Sequence, residues 1–428
     1  NKIGNVYHGE GPLVTKLREA GAIILGKTNI IQTLAGWESD NRVYGRSNNP
    51  WNLDRSPGGS SGGEGAIIAA RGSALGLAGD FGGSTRIPAH FCGLQGLKPT
   101  SGRLSNDDFP ADLLSAGQEA IIPQPGPIAR TVADLKLAMR LFAETSLSTT
   151  QDLVSPVEWP DPDKVQVQDL RIGMFTSSDY FPVAPAIRRA VEEAAEGLRT
   201  LGAVVEIFPP PDIWEAVRLF LGVNSADGGQ GFRRLLGDEK PIQQVSGQFQ
   251  AVWSPAPAVA VVKRLASARG QKHQVYLMDC LRPCSAEEYW HLVAECGGYR
   301  RRFLQALDEG GFDAILCPPA ALPAVTHGGT EHLVPAFSYA FMYNVLGVPA
   351  GVVAATTIQP GEESDRQVGK DMADITAREV EEGSAGLPVG VQVVARYWRE
   401  DIVLAVMAEL EKHFRAQPFF PESPEVLI

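Results

Sequence analysis

Apolar and polar positions in this chain fall into two periods, and the two alternate along its length. Between residues 10 and 20, Leu13, Leu17 and Ala20 share one helical face, and Gly21 offers a left-handed stop. The run Ala22-Ile23-Ile24-Leu25 then reads as a buried strand. Ala66-Ile67-Ile68-Ala69-Ala70, after a first turn of glycine and serine, predicts a helix, and Leu75-Gly76-Leu77-Ala78 a buried strand. Further strands are expected at 171–175, 204–207, 314–316 and 387–394, with helices at 184–201, 285–307 and 401–414. Glu287 and Glu288 sit in the first turn of the helix after Ser285, where acidic charge favours a helix N-terminus. This alternation predicts a layered α/β fold. Residues 209–290 read as less regular and rich in long helices. Residues 359–385 are charged and are expected on the surface.

Composition narrows the function. The chain has 428 residues, 44% hydrophobic and 21% charged, which is the mix of a globular protein with a full core. Its formal net charge of −12 disfavours contact with phosphate backbones, so no nucleic-acid partner is expected. The five cysteines (Cys92, Cys280, Cys284, Cys296, Cys317) are odd in number and sparse, and read as reduced thiols of an intracellular protein. Cys280, Cys284 and Cys296 with His291 lack a second closely spaced pair, so zinc is not expected. None of the seven histidines has metal-ligand spacing, and no metal or cofactor is predicted. No apolar stretch reaches the about 18 residues of a membrane span, and no signal peptide is visible.

Glycine (45) and proline (31) exceed their usual share of about 12%, and the excess glycine concentrates in two serine-bearing turns. These are Gly58-Gly59-Ser60-Ser61-Gly62-Gly63 and Gly82-Gly83-Ser84. Each adjoins an apolar run, which a flexible linker need not do. Glycine there lets backbone approach closely, as at an oxyanion site or a phosphate cradle. A phosphate cradle would need GxGxxG or GxxxxGK[ST], and neither occurs at these turns. Gly58-Gly59-Ser60-Ser61-Gly62 fits a GxSxG nucleophile elbow in letters, but no strand runs into it. His90 follows Ser84 closely, yet a Ser-His-Asp arrangement lacks an identifiable third member.

The third chemistry uses both serines. Ser56-Pro57-Gly58-Gly59-Ser60-Ser61-Gly62-Gly63-Glu64, Gly79-Asp80-Phe81-Gly82-Gly83-Ser84, Arg86-Ile87-Pro88 and Gly93-Leu94-Gln95-Gly96-Leu97-Lys98-Pro99-Thr100 together resemble the amidase signature family of serine hydrolases. Gly26-Lys27-Thr28-Asn29 and Asn49-Pro50-Trp51 fit as well, while Thr85 departs from the aliphatic residue more usual there. Ser338-Tyr339, Met342-Tyr343-Asn344, Val348-Pro349-Ala350-Gly351-Val352-Val353, Leu387-Pro388-Val389, Gln392 and Trp398-Arg399-Glu400 are similar to the fatty acid amide hydrolase branch.

The resemblance implies one domain over 1–428 that lacks its N-terminal part, with a large mixed twisted β-sheet covered by helices on both sides. Within it, 50–130 is the signature core and 145–290 a variable helical cap. It implies Ser84 as nucleophile and Ser60 as bridging serine behind a cis Gly59–Ser60 bond. The backbone N–H groups of Phe81, Gly82, Gly83 and Ser84 would form the oxyanion hole, with Asp80 and Arg86 as a structural pair flanking it. Leu34, Trp37, Ser61 and Phe81 are the expected substrate-binding residues.

One departure bears on activity. The family's base is a lysine on a strand well upstream of the bridging serine, in a Pro-x-x-x-Lys setting. Only 59 residues precede Ser60, and neither Lys2, Lys16 nor Lys27 has that setting. The chain also opens without Met. The expectation is an N-terminally truncated amidase, with a natural lysine-lacking variant as the alternative and little amidase activity from these residues alone.

The activity expected from the resemblance is hydrolysis of small-molecule fatty acyl amides, without metal or cofactor. An amidotransferase-type glutaminase subunit and an inactive homologue acting as a binding protein are the other readings. Phe249-Gln250-Ala251-Val252-Trp253 and the apolar stretch 258–265, ending Lys263-Arg264-Leu265, read either as a core helix, the preferred reading, or as a cap touching a bilayer. The location expected is intracellular, cytoplasmic or peripherally membrane-associated, and a homodimer is among the partner expectations.

Overall fold

The strand expected at Leu75 forms, runs to Asp80, and becomes the edge of an eight-stranded sheet. The computed structural model describes residues 10–106, 117–143, 154–209 and 212–424; Lys2 lies outside them. The strands are β1 (Leu75–Asp80), β2 (Gln95–Lys98), β3 (Gln124–Ala129), β4 (Arg171–Met174), β5 (Val204–Ile207), β6 (Ala314–Cys317), β7 (Ala350–Thr357) and β8 (Pro388–Ala395). Their order across the sheet is β1-β3-β2-β7-β8-β6-β4-β5. The pairs from β1 to β6 are antiparallel, and β6-β4 and β4-β5 are parallel.

Parallel neighbours need a crossover, and the helix Pro185–Leu201 provides it between β4 and β5. Its buried Ile187, Ala190, Val191, Ala194 and Leu198 follow helical spacing, and Gly202 closes it in the left-handed region at φ +108°. Burial of each large aliphatic side chain there contributes about 1.5–3 kcal/mol.

Helices cover both faces of the sheet. On β7, a Cβ on Gly351 would meet Met407 and Val403 of the helix Glu400–Arg415. Its neighbour Val352 packs instead with Ile68, Ala89 and Cys92. Successive residues of a strand face opposite sides, so the two helical layers are on opposite faces. The second layer comprises the helices Gly62–Ala69 and Arg86–Cys92, which carry the two serine turns at their N-termini.

Three expectations are corrected. The run Ala22-Ile23-Ile24-Leu25 is neither strand nor buried: Ile23 is 86% and Leu25 68% exposed. Among the described residues no strand pairs with it, and without a ladder an apolar run has nothing to hold it down. The charged stretch 359–385 is partly interior. It contains the helix Met372–Glu381, and Arg366, Asp371 and Glu381 are buried, with Arg366 and Glu381 forming an ion pair at 2.7 Å. The core-helix reading fails for the helix Ala256–Ala268, of which only Ala266 is buried, while Val261, Val262 and Leu265 are exposed. It holds for Phe249 on the preceding helix Gln243–Trp253.

Candidate active site

The second serine turn is built by a buried charge. β1 delivers Asp80 to its end, the chain reverses through Phe81-Gly82-Gly83-Ser84, and the helix beginning at Arg86 returns. Asp80 Oδ1 accepts the Gly83 N–H at 2.8 Å, and Oδ2 accepts the Thr85 N–H at 3.3 Å. Arg86 closes on the same carboxylate through Nε and Nη2, each at 2.9 Å, and both side chains are fully buried. Asn344 donates to Asp80 Oδ1 at 2.9 Å and accepts from Arg86 at 2.7 Å. Arg86 Nη1 reaches Gln392 Oε1 and Ala340 O, both at 2.8 Å. Burial alone would raise the Asp80 pKa, but the Arg86 charge and the hydrogen bonds from Arg86 and Asn344 outweigh it and hold it at about 2. Asp80 and Arg86 thus hold the turn from behind.

The first turn rests on residues 38 and 39. The Gly59–Ser60 peptide is cis. A Cβ on Gly59 would lie 2.2 Å from Glu38 O, so only glycine fits against that backbone. Ser39 Oγ lies 3.1 Å from Gly58 O and 3.2 Å from Ser60 O, and accepts the Gly62 N–H at 2.8 Å. The Glu38 carboxylate accepts from Gly328 N at 2.9 Å and Thr330 Oγ1 at 2.7 Å, tying this strand of loop to the far end of the chain.

Ser84 lies on the wall of a mostly apolar cavity of about 100 Å³, shared with Leu34, Trp37, Phe81, Phe220 and Phe249. That is of the order of the about 150 Å³ apolar cavity that accepts a benzene ring, so a small apolar group needs little rearrangement to enter. Three of the four expected substrate-binding residues are therefore at this wall. Ser61 is not; it is buried just before the helix Gly62–Ala69, and Ser60 is likewise buried outside the lining. Trp37 Nε1 donates to Gly82 O at 2.8 Å, and its ring stacks on Phe337 at 4.5 Å between centroids. Phe220 stacks on Phe341 at 4.6 Å and touches Phe81 at 5.7 Å.

The oxyanion expectation narrows. The Gly83 N–H is engaged by Asp80, so of the four amides it is not available to a substrate. The Gly82 and Ser84 amides donate to no protein acceptor among the described residues. Such N–H groups beside a serine can receive the charge that develops on a carbonyl oxygen.

The other groups weighed in the sequence are occupied elsewhere. His90 is buried, with Nε2 3.1 Å from Leu322 O and Nδ1 accepting the Gly390 N–H at 2.9 Å; burial lowers its pKa to about 4. Among the described residues the one set of metal-type donor atoms is His273, Asp371 and Asp374, which excludes the cysteines. His273 Nε2 lies 3.0 Å from the Tyr180 carbonyl oxygen and Nδ1 2.9 Å from Asp371 Oδ2, so both ring nitrogens have a partner within the protein. Lys98 is fully buried; burial first, then the Arg86 charge, lowers its pKa to about 7.

Glu38, Ser39 and the aromatic Phe220, Phe337 and Phe341 escaped the sequence reading. Asn344 and Gln392 were part of the motif resemblance, though nothing in their spacing showed that they close on Arg86.

Comparison with known proteins fits this architecture. The family model described as Amidase matches residues 3–404. Fatty-acid amide hydrolase 1 of Sus scrofa is 33% identical over 418 residues, covering 94% of this chain and 69% of that protein. An acetamidase of Aspergillus oryzae is 30% identical over 410 residues, with 92% and 69% covered. Among solved structures, a fatty acid amide hydrolase superimposes with a TM-score of 0.81 at 26% identity, covering 96% of this chain and 69% of that one.

Proposed function

Because the chain belongs to the amidase family of amide-hydrolysing enzymes, we propose that it cleaves amides of apolar carboxylic acids to acid and amine, with Ser84 as nucleophile. Ser84 Oγ adds to the amide carbonyl, and the oxyanion is received by the amides of Gly82 and Ser84, with that of Phe81 beside them. Ser60 relays the Ser84 proton toward the base and back to the leaving nitrogen. The C–N bond then breaks, and water releases the acid from the acyl-serine. The lysine that the resemblance implies as base is assigned to no residue of this chain.

The observation that carries this reading is Ser84 on the wall of a mostly apolar cavity, beside backbone amides with no protein acceptor among the described residues. Among the described residues no charged side chain lines that cavity, so the ammonium and carboxylate of glutamine would be desolvated there without an ionic partner. This favours the acyl-amide reading over a glutaminase.

Fluorophosphonate labelling at alkaline pH, where hydroxide takes the serine proton, tests the nucleophile. The adduct is expected on Ser84, competed by octanamide and absent from Ser84→Ala. An adduct elsewhere, or one that persists in the variant, sinks the proposal.

A peripheral membrane contact belongs to the same reading. It is supported by the exposed Val261, Val262 and Leu265 beside Lys263 and Arg264 on the helix Ala256–Ala268. Among the described residues no helix is long and apolar enough to cross a membrane. Sedimentation with anionic vesicles is expected to fall when those three residues become serine; unchanged sedimentation removes this part.

A further inference from the structure

The cavity beside Ser84 contains an acceptor with nothing to accept. Asn224 lines it, on the helix Ile213–Ser225. Phe220, four residues earlier on that helix, sits against the oxyanion turn: a Cβ on Gly82 would lie 3.1 Å from Phe220 Cζ. Asn224 is therefore one helical turn, about 6 Å of rise, beyond the reacting end.

Its amide orientation is fixed. Nδ2 donates to Phe220 O at 2.7 Å, and a carbonyl only accepts, so the side chain cannot be turned the other way round. That leaves Oδ1 buried and, among the described residues, without a hydrogen-bond partner. The neighbouring Ser225 hydroxyl is engaged, accepting Arg282 N at 3.1 Å and lying 3.3 Å from Arg282 O. Leu221, Phe232, Phe249, Val252 and Leu281 make most of the surrounding wall apolar, with Gln248 as the other side-chain amide on it. A buried acceptor without a partner is uncommon in a folded protein and calls for a donor.

We propose that Asn224 is a specificity-determining residue that reads a hydroxyl group on the acyl chain, part-way along it, so that the preferred substrates are hydroxylated acyl amides. This rests on the acyl-amide reading of the cavity above. An acceptor selects a donor: a hydroxyl satisfies Oδ1, whereas a keto, ether or carboxylate oxygen meets it lone pair to lone pair. The broad torsion of an asparagine amide lets Oδ1 turn by a few degrees onto the incoming hydroxyl. A site built to bond a hydroxyl discriminates against the chain that lacks it, because the acceptor is then left empty.

The test is calorimetric binding to the Ser84→Ala chain, which cannot turn the ligand over. The probes are octanamide and its positional series of monohydroxylated derivatives. One or two adjacent positions are expected to bind about tenfold more tightly than octanamide itself, with the remaining positions weaker than it. Asn224→Leu, of similar shape, is expected to abolish that preference and bind octanamide at least as well as before.

Octanamide binding as tightly as every hydroxylated isomer, or a preference that survives Asn224→Leu, overturns the assignment while leaving the amidase reading intact. The unsubstituted chain's positional profile decides this even if the variant fails to fold. Failure of any amide to bind, with no fluorophosphonate adduct on Ser84, overturns both readings together.

Discussion

Replacing Arg86 by methionine isolates the charge that holds the nucleophile turn. Methionine fills much of the same volume and removes every contact of the guanidinium. Asp80 is then left fully buried, with Asn344 and two backbone N–H groups but no cation paired to it. Stranding one member of a buried ion pair costs about 3–5 kcal/mol. Unfolding entropy of about 2.1 cal/mol/K per residue over 428 residues converts 4 kcal/mol into a melting-temperature drop of about 4–5 °C. The pH dependence is the sharper signature. In the parent chain the Asp80 pKa lies at about 2, below its unfolded value of 3.8, so its contribution is complete above pH 3.8 and is lost only as pH falls through 2. Without Arg86, burial, the largest influence, is opposed only by the remaining hydrogen bonds and the Lys98 charge, and it raises that pKa above the unfolded value. The variant's stability is then fullest at acid pH and is lost as pH rises through the raised pKa. The deficit relative to the parent should therefore shrink on going from neutral pH to about pH 4.5, measured by denaturant unfolding at each pH. Asp80→Asn/Arg86→Met, which removes both charges and keeps the acceptor for Gly83, should recover at least half the loss. A deficit below about 1 kcal/mol, or one independent of pH, would refute the account of Asp80 as a carboxylate dependent on Arg86.

Gly59→Ala should destabilise the chain by more than about 3 kcal/mol or prevent soluble expression, because the added methyl meets the backbone of Glu38 at 2.2 Å, which cannot rotate away; an unchanged melting temperature would contradict this packing. Lys98 has its pKa lowered from 10.5 to about 7, so between those values the unfolded chain binds more protons and stability should rise with pH by up to about 1.4 kcal/mol per unit. Lys98→Met should flatten that rise, and equal slopes in both proteins would dismiss the buried-amine explanation. Phe220→Ala should cost about 3–5 kcal/mol in stability and shift binding toward bulkier acyl amides, read by competition against fluorophosphonate labelling; an unaltered preference would show that the ring does not bound the acyl site.

Local signals carried much of the fold. The helix Ala286–Gly310 begins where Ser285 and Glu288 form a reciprocal capping box, and β1, β4, β5, β6 and β8 fall close to where apolar runs stood. β3 defeated the same rules because its sequence Gln124-Pro125-Gly126-Pro127 looks like a turn. Its second neighbour pairs only at Ile128 and Ala129, so the prolines occupy the part where one ladder has already ended. The run 22–25 misled in the opposite sense, since an apolar pattern states a preference for burial without supplying the strand that would satisfy it. In the site, the two serines and their glycines were legible because each turn is contiguous. Glu38 behind Gly59, the commitment of the Gly83 amide to Asp80, and Asn224 in the cavity depend on packing between segments far apart in the chain, which no local period encodes.

The anchoring of Arg86 also dictates an order of events during synthesis. Its acceptors on Asn344 and Gln392 are 258 and 306 positions away, and β2 finds its partner β7 only when residues near 351 have emerged. A ribosome that has already released both serine turns still holds the residues that immobilise them. The growing polypeptide must therefore carry an unpaired sheet edge, and a guanidinium that has Asp80 beside it but not its distant acceptors, through most of translation, the stage at which protection by a chaperone matters most.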